Sequence, residues 1–85
     1  RVYNNIGRAL LKLELYDNAF EAFKKGNSEA VAYNNIGVGY LNNGKIKEAI
    51  AAQTKAVELA ADLGPEALKS LQDKLKEYQQ AQTAG

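Results

Sequence analysis

The pentapeptide Tyr3-Asn4-Asn5-Ile6-Gly7 recurs in this sequence, in the same order, as Tyr33-Asn34-Asn35-Ile36-Gly37. The offset of 30 residues holds beyond the pentapeptide, because nine of the 24 positions in 3–26 are identical to their counterparts in 33–56. Two unrelated amphipathic helices would share residue classes rather than a five-residue string and further matched positions. The sequence therefore contains a duplicated unit, and such units stack when one unit cannot bury its apolar face alone.

Each copy is predicted to be a pair of helices. Ala, Leu, Glu, Lys and Gln dominate, Pro occurs once, and apolar residues recur at helical spacing. Stop signals separate five predicted helices, at about 2–13, 17–25, 28–42, 46–63 and 65–81. Asp17 is the expected N-cap of the second helix, Gly26 its stop, and Asn43-Gly44 the end of the third. Short connections imply antiparallel neighbours, so the predicted fold is all-α, a short α-solenoid of stacked antiparallel helix pairs.

One domain accounts for the whole sequence. Repeat 1 is predicted at 2–26 and repeat 2 at 28–63, with Tyr3 and Tyr33 in the core rather than in a binding site. The apolar stripe of the fifth helix consists of Leu68, Leu71, Leu75 and Tyr78. This stripe predicts that 65–81 is a capping helix, and 82–85 is expected to be a tail because no stripe continues there.

The composition excludes several classes of function. The 85 residues include no His and no Cys, which removes the commonest general base and the commonest zinc ligands. Ser28 and Ser70 have no His to activate them, so we predict no enzyme, no cofactor and no metal. The net charge of +1 gives no field to recruit nucleic acid, and no apolar run approaches the roughly 20 residues that span a bilayer. No targeting segment is recognisable, and the compartment stays open.

At the duplicated residues the sequence resembles the tetratricopeptide repeat family, whose pattern is W-x2-L-G-x2-Y, then A-x3-F and Pro. The matching residues are Tyr3, Ile6, Gly7, Leu10, Ala19 and Phe23 in the first copy and Tyr33, Ile36, Gly37, Tyr40 and Ala49 in the second. The resemblance covers roughly 2–63. It implies a short right-handed α-solenoid and a non-enzymatic scaffold that binds other proteins. The doubled Asn and the Lys-rich style are similar to bacterial members, including accessory components of pilus or envelope assembly.

Three departures from the family pattern carry predictions. The copies are 30 residues apart instead of 34, so the second helix of the first pair is expected to be about one turn short. Ala61 stands where the family has Pro, which predicts that the fourth helix continues for a further turn, up to Pro65. Gln53 replaces the large apolar residue that Phe23 represents in the first copy. We expect a weaker or solvent-facing contact there.

The resemblance also implies a concave groove, lined by the face of each pair's first helix that lies opposite its packing stripe. The predicted groove residues are Asn4, Asn5, Arg8, Leu11, Lys12, Val31, Asn34, Asn35, Val38, Leu41 and Asn42. An Asn amide offers both a donor and an acceptor to an extended peptide, and Arg8 with Lys12 forms a cationic end suited to a carboxylate. In the other interpretation, the Asn side chains hydrogen-bond to the backbone of neighbouring helices or face water.

The predicted function is therefore a protein-interaction module that binds a peptide segment of a partner, with an acidic group at the cationic end. Two alternatives stay open: a self-assembly module, because two repeats fall below the three usually needed for stability, and a segment of a longer solenoid. The lack of Met favours a fragment of a longer protein. The carboxylate clamp of chaperone-tail adaptors is disfavoured. Asn35 falls on a clamp position, but Asn4 and Arg8 stand where the clamp has Lys and Asn, and Glu66 and Ser70 replace its further basic residues.

Overall fold

The computed structural model describes residues 2–84, which form a stack of helices. The helices are α1 (Val2–Lys12), α2 (Tyr16–Gly26), α3 (Glu29–Asn42), α4 (Ile46–Leu59) and α5 (Pro65–Ala84), and a 3₁₀ turn at Ala60–Leu63 follows α4. No strand occurs within 2–84, so the all-α class and the five predicted helices are confirmed. Successive helices pack on one another, and α1 also contacts α3, which places the duplicated pairs side by side.

Both pairs are joined internally by the same turn. Glu14 and Gly44, which are equivalent across the 30-residue offset, adopt left-handed backbone with φ of 59° and 78°. The next residue then donates its N–H back to the helix, Leu15 to the Leu10 carbonyl at 2.9 Å and Lys45 to the Tyr40 carbonyl at 2.8 Å. These Schellman-type ends satisfy carbonyl groups at the helix C-terminus. The helix end predicted at Gly44 is confirmed, whereas Glu14 gave no signal because Glu disfavours this conformation.

The second and third helices begin in different ways. Ser28 caps α3, since its Oγ accepts a hydrogen bond from the Val31 N–H at 3.3 Å. The prediction of Asp17 as the N-cap of α2 is wrong. The helix begins at Tyr16 after Leu15, whose side chain makes no capping bond, and Asp17 lies within the first turn. In the first turn its carboxylate still interacts favourably with the positive, N-terminal end of the helix dipole.

The last two helices depart from their predicted bounds. The α-helical bonding of α4 ends at Leu59, and residues 60–63 continue as the 3₁₀ turn. Gly64, with φ of 101°, redirects the chain, and Pro65 begins α5 as expected. The helix then continues to Ala84, so residues 82–84 of the predicted tail are helical. Gly85, the last residue of that tail, lies outside the described residues.

The glycines of the repeated pentapeptide make room for the second helix of each pair. A Cβ on Gly7 would lie 2.6 Å from Cζ of Phe23, and one on Gly37 would lie 3.2 Å from Oε1 of Gln53. Phe23 and Gln53 are themselves equivalent across the offset, and both are buried. The close helix approach predicted at the glycines is therefore present in both copies, against different side chains.

The core has two centres among the described residues. One centre lies between the two pairs and comprises Leu11, Ala19, Phe23, Ala32, Ile36 and Ala52. The other joins α3 and α4 to α5 and comprises Ala30, Ala56, Ala60 and Leu71. The predicted stripe of α5 faces this interior, since Leu71 and Tyr78 are buried and Leu68 and Leu75 are half-buried. Small alanines dominate both centres, so the helices stand close together.

Gln53 is completely buried, which contradicts the prediction of a weaker or solvent-facing contact. Its Nε2 donates to the Leu71 carbonyl at 3.1 Å and thereby fastens α4 to the middle of α5. Its Oε1 is covered and has no hydrogen-bond partner among residues 2–84. The prediction failed because α5 covers this position, and the first copy gives no hint of a third layer.

The outer flank of α1 is exposed, which contradicts the prediction that Tyr3 lies in the core. Tyr3 is 42% exposed and Ile6 44%. Their equivalents in α3 are more protected, Tyr33 half-buried and Ile36 buried, because the first pair packs against that helix. Over the Tyr3 ring the described residues place the ammonium of Lys25, 5.7 Å from the centroid, but no preceding helix pair such as the one that covers α3. The same residues thus change burial with their place in the stack.

Candidate functional site

A cavity of about 530 Å³ opens along the first helices of the two pairs. Its sides come from α1 and α3, its floor reaches α2, and α5 reaches its edge. The lining residues are Asn4, Arg8, Leu11, Lys12, Phe23, Asn34, Asn35, Val38, Gly39, Asn42, Asn43 and Lys74. We name this cavity the amide groove, because Asn is its most frequent residue.

Helix geometry explains how α3 contributes to the amide groove. At about 100° per residue, Asn35 and Val38 point to one side of α3, whereas Tyr33 and Tyr40 point to the other. The groove takes the first pair of side chains. Gly39 lets α3 approach α1 at the groove floor, since a Cβ there would lie 2.6 Å from Cδ1 of Leu11. The helical periodicity of the sequence therefore places Asn35 and Val38 on the groove side of α3.

The structure brings most of the predicted groove residues together. Those that line the cavity are Asn4, Arg8, Leu11, Lys12, Asn34, Asn35, Val38 and Asn42. Three do not. Asn5 is exposed and lies about 100° around α1 from Asn4. Val31 precedes the groove by one turn of α3, and Leu41 faces about 90° away from the groove side of that helix; both are half-buried.

The amides of the groove divide by what they bind. Asn4 has a structural role, because its Oδ1 accepts a hydrogen bond from Nδ2 of Asn27 at 2.7 Å. The same Nδ2 also donates to the Phe23 carbonyl at 2.9 Å. Asn27, in the α2–α3 connection, is therefore bonded to both α1 and α2. The Oδ1 of Asn34 is covered and has no hydrogen-bond partner within 2–84. The partner of Asn4 is a side chain in the α2–α3 connection, so the second interpretation, hydrogen bonds to neighbouring helix backbone or exposure to water, does not describe this residue.

Four lining residues were not predicted, namely Phe23, Gly39, Asn43 and Lys74. Asn43 donates through Nδ2 to the Leu11 carbonyl at 3.2 Å and to the Tyr16 hydroxyl at 2.7 Å, which joins the two pairs. Gly39 could have been found, since a glycine inside a helix often marks close packing. Lys74 could not, because it comes from α5 and lies off that helix's apolar stripe.

The charge of the amide groove is of one sign. Arg8, Lys12 and Lys74 line it, and none of its lining residues is Asp or Glu. The ion pairs within 2–84, which are Lys45–Glu14 and Lys69–Asp73, involve none of these cations. A partly enclosed surface with unopposed positive charge attracts anionic groups. The groove therefore combines several amide side chains with positive charge that no lining carboxylate opposes.

Other kinds of site are not apparent in the described part of the chain. Residues 2–84 hold no group of three or more side chains suited to a metal ion. None of their helices has the length and apolar character needed to cross a bilayer. Ser28, which was considered as a nucleophile, is occupied with the cap of α3.

A second cavity, also of about 530 Å³, lies between the second helices of the two pairs and was not predicted. Its lining residues are Tyr16, Asp17, Asn18, Phe20, Glu21, Tyr33, Ile36, Tyr40, Glu48, Ala51, Ala52 and Lys55. We name it the aromatic cleft. Since Tyr33 and Tyr40 lie on the side of α3 opposite to Asn35, the two cavities occupy opposite faces of this helix.

A stack of duplicated helix pairs with a groove along its first helices defines a helical-repeat protein. The sequence matches the family model described as Tetratricopeptide repeat at 1–28 and 30–63, which is more than half of the chain. The chain belongs to this family, whose repeats are generally protein–protein interaction modules and typically non-enzymatic. No curated protein and no solved structure gives a significant match. The narrower resemblance to bacterial pilus- or envelope-assembly members finds no support in these comparisons.

Proposed function

We propose that this chain binds a peptide segment of a partner protein in the amide groove, with an acidic side chain or terminus at Arg8 and Lys12. The observation that carries the proposal is the lining of one cavity by several Asn amides and three cations, with no carboxylate among them. Family membership supports the general role, since tetratricopeptide repeats generally bind proteins. The mechanism is recognition by a preformed surface, without a catalytic step.

Some Asn side chains of the groove hold helices together and others are left for a ligand, which supports a preorganised groove. The hydrogen bonds that Asn4 and Asn43 make within 2–84 fix the connections between helices. Asn35 and Asn42 remain for a ligand, and each offers a donor and an acceptor to an extended backbone. A groove that needs no ordering on binding avoids part of the entropy cost of association. Leu11 and Val38 supply an apolar floor between the amides.

A peptide array tests the proposal without knowledge of the natural partner. Random dodecapeptides that contain Asp or Glu are printed beside matched peptides in which these residues are Asn or Gln. We expect the wild-type chain to prefer the acidic set and the variant Arg8→Ala/Lys12→Ala to lose that preference. Lys47→Ala/Lys76→Ala removes the same charge at exposed positions outside the two cavities and should bind like the wild type. Equal profiles for all three chains would contradict the proposal.

A second candidate function, assembly of copies or of further repeats on the first pair, rests on a separate observation. Val2, Tyr3 and Ile6 expose an apolar flank of α1, Val2 to 68%. Association through this flank predicts that the sedimentation coefficient rises with protein concentration and that Ile6→Lys abolishes the rise. Leu63→Lys, at an exposed apolar residue near the other end of the stack, serves as the matched control. A concentration-independent monomer would exclude self-assembly.

A further inference from the structure

The floor of the aromatic cleft is made of four rings from two helices. Tyr16 stacks on Tyr40 with centroids 4.0 Å apart and an interplanar angle of 23°. Phe20 meets Tyr33 with centroids 4.6 Å apart, tilted by 45°. All four side chains are half-buried, so part of each remains exposed in the cleft. Half-buried aromatic surface is typical of binding sites more than of a closed core.

Small residues of α4 create the space above these rings. Ala51 and Ala52 line the cleft from the side of α4, where longer side chains would fill it. The second helix of the first pair, α2, has 11 residues against the 14 of α4, so it is almost one turn shorter than its counterpart. The cleft is therefore an open channel between two second helices of unequal length.

The rim of the aromatic cleft carries mainly negative charge. The carboxylates of Asp17, Glu21 and Glu48 line it, opposed by Lys55. All three acidic side chains are exposed, and the ion pairs within 2–84 involve none of them. Their field converges on the floor. Burial, and then the charges of Asp17 and Glu48, raise the pKa of Tyr40.

The chain itself provides an example of a cation beside these rings. The ammonium nitrogen of Lys24 lies 5.7 Å from the centroid of Phe20, a cation–π distance. Aromatic faces and carboxylates together attract Lys and Arg side chains, whose stems pack on the rings while the charged ends reach the carboxylates. The amide groove, on the opposite face of α3, has the opposite charge and therefore selects a different ligand.

We infer that the aromatic cleft is a second peptide site, which binds a basic segment with Lys or Arg side chains over Tyr16 and Tyr40 and against Asp17, Glu21 and Glu48. The charge of the rim favours this occupant over an acidic peptide, and the apolar floor favours a side chain with a long stem over a free inorganic cation. The inference does not depend on the amide groove.

Fluorescence anisotropy with two synthetic probes tests this inference. The probes are fluorescein-labelled nonapeptides with the sequence Arg-Ala-Ala repeated three times and its counterpart with Glu in place of Arg. We expect saturable binding of the Arg probe that weakens with added salt. The variant Glu21→Gln/Glu48→Gln should raise the Kd for this probe about three- to tenfold, because two surface charge contacts are lost.

Matched variants separate the cleft from general charge effects. Glu58→Gln/Asp62→Asn removes the same charge at exposed residues outside both cavities and should leave the Kd unchanged. Arg8→Ala/Lys12→Ala should not weaken the Arg probe, so that failure of the groove proposal and failure of the cleft inference are distinguishable. Circular dichroism verifies that each variant is folded.

Backbone amide chemical shifts of the ¹⁵N-labelled chain then locate the bound probe. The inference requires perturbations at Glu21, Glu48 and Lys55. Perturbations centred instead on Asn35 and Val38 would overturn it, as would an unchanged Kd in Glu21→Gln/Glu48→Gln or the absence of saturable binding to the wild type.

Discussion

The two helix pairs, α1–α2 and α3–α4, repeat the same residues and yet put them to different uses. Gly7 admits the ring of Phe23, whereas Gly37 admits the amide of Gln53. The Phe23 ring belongs to the core between the pairs, whereas the Gln53 amide bonds to the Leu71 carbonyl of α5. What differs is the neighbour on the far side. A repeat position thus takes its role from the element that packs on it.

The largest expected effect separates the two side chains at this position. Phe23→Ala should lower the free energy of unfolding by about 3–5 kcal/mol, because it leaves a ring-sized cavity in the core. Gln53→Leu should change it by about 1 kcal/mol or less, since the lost hydrogen bond is offset by removal of the unpartnered Oε1. Urea denaturation followed by circular dichroism measures both. Equal losses would show that the two copies are packed alike.

Substitution of the two repeated glycines should also distinguish the two helix pairs, with effects on stability of intermediate size. Gly7→Ala should destabilise by about 1–2 kcal/mol, because the new Cβ presses on the buried ring of Phe23. Gly37→Ala meets Gln53 Oε1 and the Ala49 carbonyl at 3.2 and 3.4 Å, and the gain in helix propensity of about 1 kcal/mol should offset this contact. Thermal denaturation of the two variants in parallel provides the measurement. A larger loss of stability for Gly37→Ala than for Gly7→Ala would contradict the conclusion that the helices are packed more tightly at Gly7.

The turns between helices give a smaller and opposite pair of effects. Gly44→Ala should cost about 1 kcal/mol, because its φ of 78° is unfavourable for a residue that carries a Cβ. Glu14→Gly should stabilise by up to about 1 kcal/mol, since it relieves left-handed strain at φ of 59°. Glu14→Ala is the control, because it keeps the strain and removes only two weak contacts of the carboxylate, with Lys45 at 3.9 Å and with the Tyr16 hydroxyl at 3.5 Å. Stabilisation by Glu14→Ala as large as that by Glu14→Gly would contradict this account.

The smallest expected effect is a loss of stability at alkaline pH, which arises from Tyr40 in the second copy and from Tyr78 in α5. Burial, followed by nearby negative charge, raises the pKa of Tyr40 and that of Tyr78 above 10.0. Folding therefore favours the neutral phenols. Their contribution is complete below the unfolded pKa of about 10 and is lost as the pH rises through the folded pKa.

Tyr40→Phe and Tyr78→Phe should each flatten the fall of stability above about pH 10. The first copy has Leu10 where the second has Tyr40, so it carries no such group at this position. Tyr3→Phe, at an exposed position, is the control. Denaturation curves between neutral and strongly alkaline pH measure the slope, and an identical slope for wild type and Tyr40→Phe would argue against burial of this phenol as its cause.

Prediction from the sequence succeeded where local chemistry decides the outcome. The pentapeptide repeat, the cap at Ser28, the turn at Gly44 and the start of α5 at Pro65 are all present, because each depends on residues close together in the chain. Most predicted groove residues also line one cavity, since helical periodicity fixes which side chains share a face. These features need no knowledge of neighbouring elements beyond the pairing of helices.

Prediction failed where a distant element decides. Gln53 was expected to make a weaker or solvent-facing contact and is buried by α5. Tyr3 was expected in the core and is exposed on the outer flank of α1. Lys74 reaches the amide groove only because α5 packs across the second pair. The aromatic cleft was not predicted, because its rings come from α2 and α3, and the pattern of each helix taken alone indicates ordinary core residues.

By itself, then, the sequence determined the helices, their pairing and the face on which the asparagines stand, because propensity and periodicity act within a few residues. Tertiary structure alone decided which of the equivalent residues are buried, which amides are used up in joining helices, and that opposite faces of α3 carry cavities of opposite charge. The physical reason is that burial and electrostatic surroundings depend on what packs against a residue. In a stacked array, that partner changes from one copy to the next.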